Sequence, residues 1–187
     1  ILFEEPLGAN IRPAGQDITS GQLVLRDGTV LRPSEIGILA SIGHRDVQVI
    51  RRPEVAVLGT GDELISPGQP LTAGKIYDSN SFAIATAIRR YGGHPKMLGI
   101  AADNIQDLTQ KIENGFSADL LITSAGVSRG DYDIVKDVLS TRGTLNFWSV
   151  RMRPAKPLAF GVLDAGNGKS VPHIGLPGNP VSALVAF

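Results

Sequence analysis

Two short glycine-bearing segments stand directly before helical sequence: Ser124-Ala125-Gly126-Val127-Ser128 and Pro177-Gly178-Asn179-Pro180-Val181-Ser182. Such segments leave backbone N–H groups unpaired at the positive end of a helix dipole, an arrangement that holds phosphate. Arg153 and Lys156 add positive charge nearby in the chain. Against them stand Asp62 and Glu63, which follow Thr60-Gly61, together with Asp103 and Asp131. Carboxylates beside a phosphate repel it unless a cation intervenes. Mg²⁺ meets that need, because it takes one or two carboxylates, keeps waters and bridges phosphate oxygens. The chemistry expected is anion binding with a metal.

Each feature also has a plainer reading. Ser124-Ala125-Gly126 is a good turn between any strand and helix. Asp62-Glu63 and Asp103 can cap helices, and Asp131 can complement a helix dipole. Arg153 and Lys156 can be a solvated pair. His44, His94 and His173 have no metal-ligand spacing and read as structural or surface residues, and Trp148 reads as core. The weight therefore rests on where the elements bring the candidates.

Those elements alternate. Val55 to Leu58 is an apolar run without polar interruption, the pattern of a strand buried on both faces. Ser79 or Asn80 caps a helix carrying Phe82, Ile84, Ala85, Ile88 and Tyr91, stopped by Gly92-Gly93. Met97 to Ile100 is a second strand, and Asn104 caps a helix with Ile105, Leu108, Ile112 and Phe116. Leu120 to Ile122 is a third strand, followed by a helix through Ile134 to Leu139 that Gly143 ends. Leu145 to Val150 is a fourth. Leu158 to Leu163 and Val171 to Ile174 form a hairpin, and Asn179-Pro180 opens a last helix. The fold expected is α/β, a three-layer α/β/α sandwich with a mainly parallel sheet over residues 53–187. Ligands of such sheets bind outside the carboxyl ends of the strands, and the chemistry-bearing residues follow strand after strand.

Residues 1–52 read differently, as a small β-rich segment ahead of that domain. Asp27-Gly28 signals a hairpin between Gln22–Leu25 and Thr29–Leu31. Pro33-Ser34-Glu35 opens a short helix that Gly43 stops, Val47 to Ile50 reads as a strand, and Arg51-Arg52-Pro53 marks a boundary.

Composition narrows the classes. Lys+Arg and Asp+Glu both number 18, so no chain-wide basic surface for nucleic acid or membrane is expected. Hydrophobic residues at 42% suffice for a core, and no run approaches a membrane span. The absence of cysteine excludes disulfides, thiolate metal sites and thiol nucleophiles, and fits a cytoplasmic protein. The start at Ile1 and the stop at Phe187 inside an apolar run read as cuts through a longer chain.

T-G-D-E-L at Thr60 to Leu64, I-Y-D-S-N at Ile76 to Asn80 and T-S-A-G-V-S-R-G-D-Y-D at Thr123 to Asp133 occur in that order. M-R-P-A-K-P-L-A-F-G at Met152 to Gly161 and G-L-P-G-N-P-V-S at Gly175 to Ser182 follow. The set resembles the molybdopterin molybdenumtransferases of molybdenum-cofactor biosynthesis, the MoeA/gephyrin E-domain family. Upstream, N-I-R-P-A-G-Q-D-I at Asn10 to Ile18 and the run from Pro33 to Gly43 resemble the segment preceding that family's catalytic domain.

The resemblance implies a molybdopterin-binding domain acting on adenylylated molybdopterin and molybdate, with Mg²⁺-dependent release of AMP. It puts the catalytic acidic positions, and with them the metal ligands, on Glu63, Asp103 and Asp131, and the basic positions on Arg153 and Lys156. It implies a homodimer whose cleft is shared between subunits. Three positions depart from the family's pattern: Ala125 stands for a glycine, Arg129 for a small apolar residue, and Ala155 for another glycine. Alanine disfavours positive φ, so a loop needing that conformation at Ala125 would be loosened. The alternatives are a molybdopterin adenylyltransferase or CinA-like enzyme on the same fold, or a non-catalytic scaffold. The upstream segment is not expected in the first two, and the joint presence of Glu63, Asp103 and Asp131 argues against the third.

Overall fold

The computed structural model describes residues 4–125, 134–166 and 168–187. The chain divides into two compact units, Ile1–Ile50 and Arg51–Phe187.

In the first unit, α1 spans Pro33–Ser41. Proline at its start supplies a helical φ where no hydrogen bond is lost, and the Arg32 N–H donates to Glu35 Oε2 at 2.8 Å. Gly43 follows the last turn at φ 87°. The β-rich expectation does not hold among residues 4–50, where no strand forms. The turn at Asp27-Gly28 is made, with Thr29 N–H donating to Arg26 O at 3.2 Å. Its arms do not pair, because an isolated two-stranded hairpin without a third strand or a packed face is marginal in water. Val47 to Ile50 is likewise no strand; Val49 and Ile50 lie exposed and find no ladder.

The second unit is a three-layer α/β domain. Its strands are β1 (Glu54–Thr60), β2 (Leu64–Ile65), β3 (Ile76–Tyr77), β4 (His94–Ala101), β5 (Leu120–Ser124), β6 (Gly143–Ser149), β7 (Pro157–Asp164) and β8 (Ser170–Leu176). Its helices are α2 (Asn80–Arg90), α3 (Ile105–Gly115), α4 (Ile134–Thr141) and α5 (Pro180–Ala186). The main sheet has the order β4-β1-β5-β8-β7-β6. β4, β1, β5 and β8 are mutually parallel, and only β7 runs against its neighbours. The carboxyl ends of β4, β1, β5, β8 and β6 therefore share one edge, which the β6–β7 loop also crosses.

The apolar pattern explains the layering. In β1, Ala56 and Leu58 face a cluster with Leu108 and Ile112 of α3 and Val135, Val138 and Leu139 of α4. Val55 and Val57 face the other way, onto Ile84 and Ile88 of α2 and Ala183 of α5. Each fully buried Leu or Ile contributes about 1.5–3 kcal/mol relative to exposure. Phe82 and Tyr91, expected on the packed side of α2, are exposed instead, because Ile84, Ala85 and Ile88 fill the contact with the sheet. Trp148 is not core. It stands half-exposed on the edge strand β6, 6.2 Å from the Phe160 ring of β7.

Arg51 ties the start of the domain down. Its guanidinium grips the Asp119 carboxylate, Nη1 to Oδ2 at 2.6 Å, and the Glu54 N–H donates to the same Oδ2 at 2.8 Å. Arg51 first, and the Glu54 amide second, hold the Asp119 carboxyl down to about 2. Among the described residues no helix is long and apolar enough to cross a membrane.

Candidate functional site

The chain leaves β1, returns on one side of it as β4, then crosses to the other side as β5. The crevice between the ends of β1 and β5 is thus the topological switch point, where open α/β sheets bind ligands. Thr60 closes β1 and is buried, with its Oγ1 donating to the Ser124 carbonyl at 3.1 Å. The two strand ends are bonded to each other at the switch.

The turn after β1 is shaped by its glycine. Gly61 has φ 133°, and a Cβ there would lie 2.3 Å from Glu63 Oε2. Only glycine lets the Glu63 carboxylate fold back over the turn. A two-stranded ladder then carries the chain from Glu63 to Asp78: the Ile76 N–H donates to Glu63 O at 2.8 Å and the Asp78 N–H to Ile65 O at 2.9 Å. Asp78 is buried, and its Oδ1 accepts from Ser81 N–H at 3.0 Å. This carboxylate caps α2. Ser79 occupies the N-cap position without a side-chain bond, so neither Ser79 nor Asn80 is the cap. Room for Asp78 comes from Gly59, where a Cβ would stand 2.8 Å from Asp78 Oδ2.

A cavity of about 80 Å³ results, with Glu63, Asp78, Asn80, Ser124, Ala125 and Gly178 among its walls. That is well below the roughly 300–1,000 Å³ of a drug-sized ligand site, so it suits one group of a larger molecule. Asn80 joins its two far walls: Nδ2 donates to Ser124 Oγ at 2.9 Å and to Gly178 O at 2.7 Å. Ala125 has φ 81°, the conformation its glycine would have favoured, and its Cβ lies 3.4 Å from where one on Gly178 would be.

The other candidates distribute as follows. Asp62 and Asp103 are adjacent: the Asp103 N–H donates to Asp62 Oδ1 at 2.9 Å and the Asp62 N–H to Asp103 Oδ2 at 3.3 Å. Asp103 is not a cap; Asn104 is, accepting from Asp107 N–H at 2.9 Å. Asp103 does not line the cavity, although its partner Asp62 sits next to Glu63, which does. Pro177 is buried and leads into Gly178. Asn179 caps α5, with its Oδ1 accepting from Ser182 N–H at 3.1 Å. Arg153 and Lys156 lie exposed on the β6–β7 loop at the same sheet edge, outside the cavity wall. That loop also contains Ala155, buried at φ 73°. Gly126, Val127, Ser128, Arg129 and Asp131 lie outside the described residues.

Two expectations about donors need correction. The Ala125 N–H is not free for an anion, because it donates to Leu176 O at 3.0 Å. The Ser182 N–H is committed to Asn179. The amides of Gly178 and Asn179 make no hydrogen bond among the described residues. Among those residues no three His, Cys, Asp or Glu side chains gather into a metal site.

Sequence reasoning passed over Asp78 and Asn80 as site residues, although both stand in the quoted I-Y-D-S-N run. It also passed over the contact beneath the site, where His173 Nε2 and Thr123 Oγ1 lie 3.0 Å apart, fully buried. Burial alone pushes His173 down to about 4.

An open α/β domain with hydroxyls, glycine turns and carboxylates gathered at its switch point has the architecture of a small-molecule-binding domain. The chain belongs to the family described as the probable molybdopterin binding domain, which it matches over residues 56–187. Residues 4–43 match the MoeA N-terminal region, domains I and II. It is 42% identical over 179 residues to the molybdopterin molybdenumtransferase of Haemophilus influenzae, covering 95% of this chain and 43% of that protein. It is 41% identical to the same-named protein of Nostoc sp., covering 100% of this chain and 43% of the relative. The chain thus spans less than half the length of these relatives. The crystal structure of a molybdopterin biosynthesis MoeA protein from Pyrococcus horikosii superposes with a TM-score of 0.78 at 33% identity, covering 92% of this chain and 42% of that one.

Proposed function

We propose that the protein to which this chain belongs inserts molybdate into adenylylated molybdopterin and releases AMP. The observation carrying this reading over other activities on the same fold is the match of residues 4–43 to the MoeA N-terminal region, upstream of the switch-point cavity. An adenylyltransferase or a CinA-like enzyme needs no such segment.

In this reading the free amides of Gly178 and Asn179, with the Ser124 hydroxyl, hold the terminal phosphate of the pterin in the cavity. Gly126, Val127 and Ser128, which follow Ser124 in the chain, are assigned to the same ligand by the sequence motif. Arg153 and Lys156, on the loop along the same edge, attract the molybdate dianion and stabilise negative charge developing on the leaving phosphate. Thr60 keeps the ends of β1 and β5 in register and so fixes the distance between the Glu63 turn and the phosphate loop.

The donor set suits Mg²⁺. Glu63 on the cavity wall and Asp103 beside Asp62 offer hard carboxylate oxygens, and no soft ligand lies near. Glu63 and Asp103, with Asp131, are the residues that would hold it, and the ion would supply Lewis-acid polarisation of the phosphoanhydride. We further place the domain boundary at residues 52/53, the protein in the cytoplasm, and the working form as a homodimer, in which a second copy completes the cleft.

The test is a substrate-exchange assay on the full-length protein. AMP release that requires adenylylated molybdopterin, molybdate and Mg²⁺ together is expected. Consumption of ATP with free molybdopterin would identify the adenylyltransferase instead, and turnover of neither would favour the scaffold.

A further inference from the structure

Asn80 Nδ2 is held by two acceptors on different loops, Ser124 Oγ at 2.9 Å and the Gly178 carbonyl at 2.7 Å. The Gly178 carbonyl can only accept, so it fixes which end of the amide is nitrogen. The opposite end, Oδ1, is buried and has no hydrogen-bond partner among the described residues. A buried, unpaired carbonyl is costly, and a residue retained only to begin α2 would not carry it. Alanine begins a helix at that position without any such cost, and Asp78 already provides the cap.

The consequence falls on Ser124. Its oxygen already accepts a hydrogen from Asn80. Its own hydrogen has no acceptor among the described residues, and Ser124 lines the cavity. A hydroxyl whose oxygen is engaged in this way presents its proton. We infer that Asn80 is a positioning residue that polarises the Ser124 hydroxyl into a hydrogen-bond donor aimed at an anionic ligand group, while fastening the Gly178 turn against it. The inference deepens the proposed function and rests on it: the anion is the phosphate of the pterin. Asn80 acts through Ser124 and Gly178, since its amide nitrogen is engaged by both and its oxygen is buried.

Binding of molybdopterin to the full-length protein, measured by equilibrium ultrafiltration, tests this in a double-mutant cycle of Asn80→Ala and Ser124→Ala. Each single variant is expected to weaken binding about tenfold or more. The double variant should be no weaker than the weaker-binding single, because removing the hydroxyl removes what Asn80 orients. Additive losses overturn the inference, and losses of melting temperature in proportion to losses of binding would mark a purely structural clasp, because directly bonded residues couple in either case. Asn80→Asp tests polarity at nearly constant shape. The new carboxylate accepts from Ser124 and repels the ligand, so binding should fall at least as far as in Asn80→Ala while the melting temperature moves less than binding predicts. Binding unchanged in Asn80→Asp contradicts the inference. Ser124→Ala and Asn80→Asp carry the test if Asn80→Ala does not fold. A wild-type protein that binds no molybdopterin overturns the site reading and this inference with it. Wild-type binding with unaffected variants overturns the inference alone.

Discussion

Asp62 and Asp103 each donate a backbone N–H to the other's carboxylate, at 3.3 and 2.9 Å, across the adjoining ends of β1 and β4. The exchange fastens the loop that carries Glu63 to the neighbouring strand end. It also separates two roles for Asp103 that a single alanine variant would confuse. Asp103→Asn keeps an acceptor oxygen for the Asp62 N–H and should change stability by less than about 0.5 kcal/mol. Asp103→Ala loses the bond and should cost about 1 kcal/mol. If the charge of Asp103 serves the reaction, both variants lose AMP release at least tenfold. Urea unfolding alongside the activity assay distinguishes the outcomes, and an active Asp103→Asn enzyme would leave only the structural role.

Ala125 and Ala155 both occupy left-handed backbone, at φ 81° and 73°. L-residues other than glycine pay about 1–2 kcal/mol there. Ala155→Gly should therefore stabilise the domain by about 0.5–1 kcal/mol after the added freedom of the unfolded chain is counted. For a chain of this size that is a rise in melting temperature of about 2–4 °C per kcal/mol. Ala125→Gly should stabilise similarly. A lower melting temperature in both variants would contradict the backbone assignment.

Much of this was legible in sequence. The unbroken apolar runs of β1 and β5, the Asn104 and Asn179 caps and the β7–β8 hairpin all follow from local pattern. So does the conflict at Ala125, since a family glycine replaced by alanine marks a position where φ matters. What was not legible depends on partners far along the chain. Asn80 meets Gly178 across 98 positions, and Asp78 is buried only because Gly59 has no side chain. The hairpin at Asp27-Gly28 failed for the opposite reason: its turn is local and forms, but its pairing needed a sheet to join. Trp148 was misplaced because residue type reports burial on average, whereas an edge strand leaves one face uncovered.

His173 makes stability depend on pH. Its pKa falls from an ordinary 6.5 to about 4 through burial, so the folded state refuses a proton that the unfolded state binds. Stability is whole above pH 6.5 and declines as pH drops toward 4, by about 3 kcal/mol for this group. His173→Gln stays neutral and should lack that component. Urea midpoints of the two proteins compared at pH 7 and pH 4 measure it. An equal loss in both would show that His173 does not titrate in this window.

The central claim is that residues distant in sequence form one catalytic cavity at the switch between β1 and β5. Its most direct test is the rate of AMP release from adenylylated molybdopterin, with molybdate and Mg²⁺, by full-length protein carrying Glu63→Gln. The substitution keeps size and removes one charge from the cavity wall, and a loss of about 100-fold or more is predicted, with folding intact. Release at the wild-type rate would contradict the account.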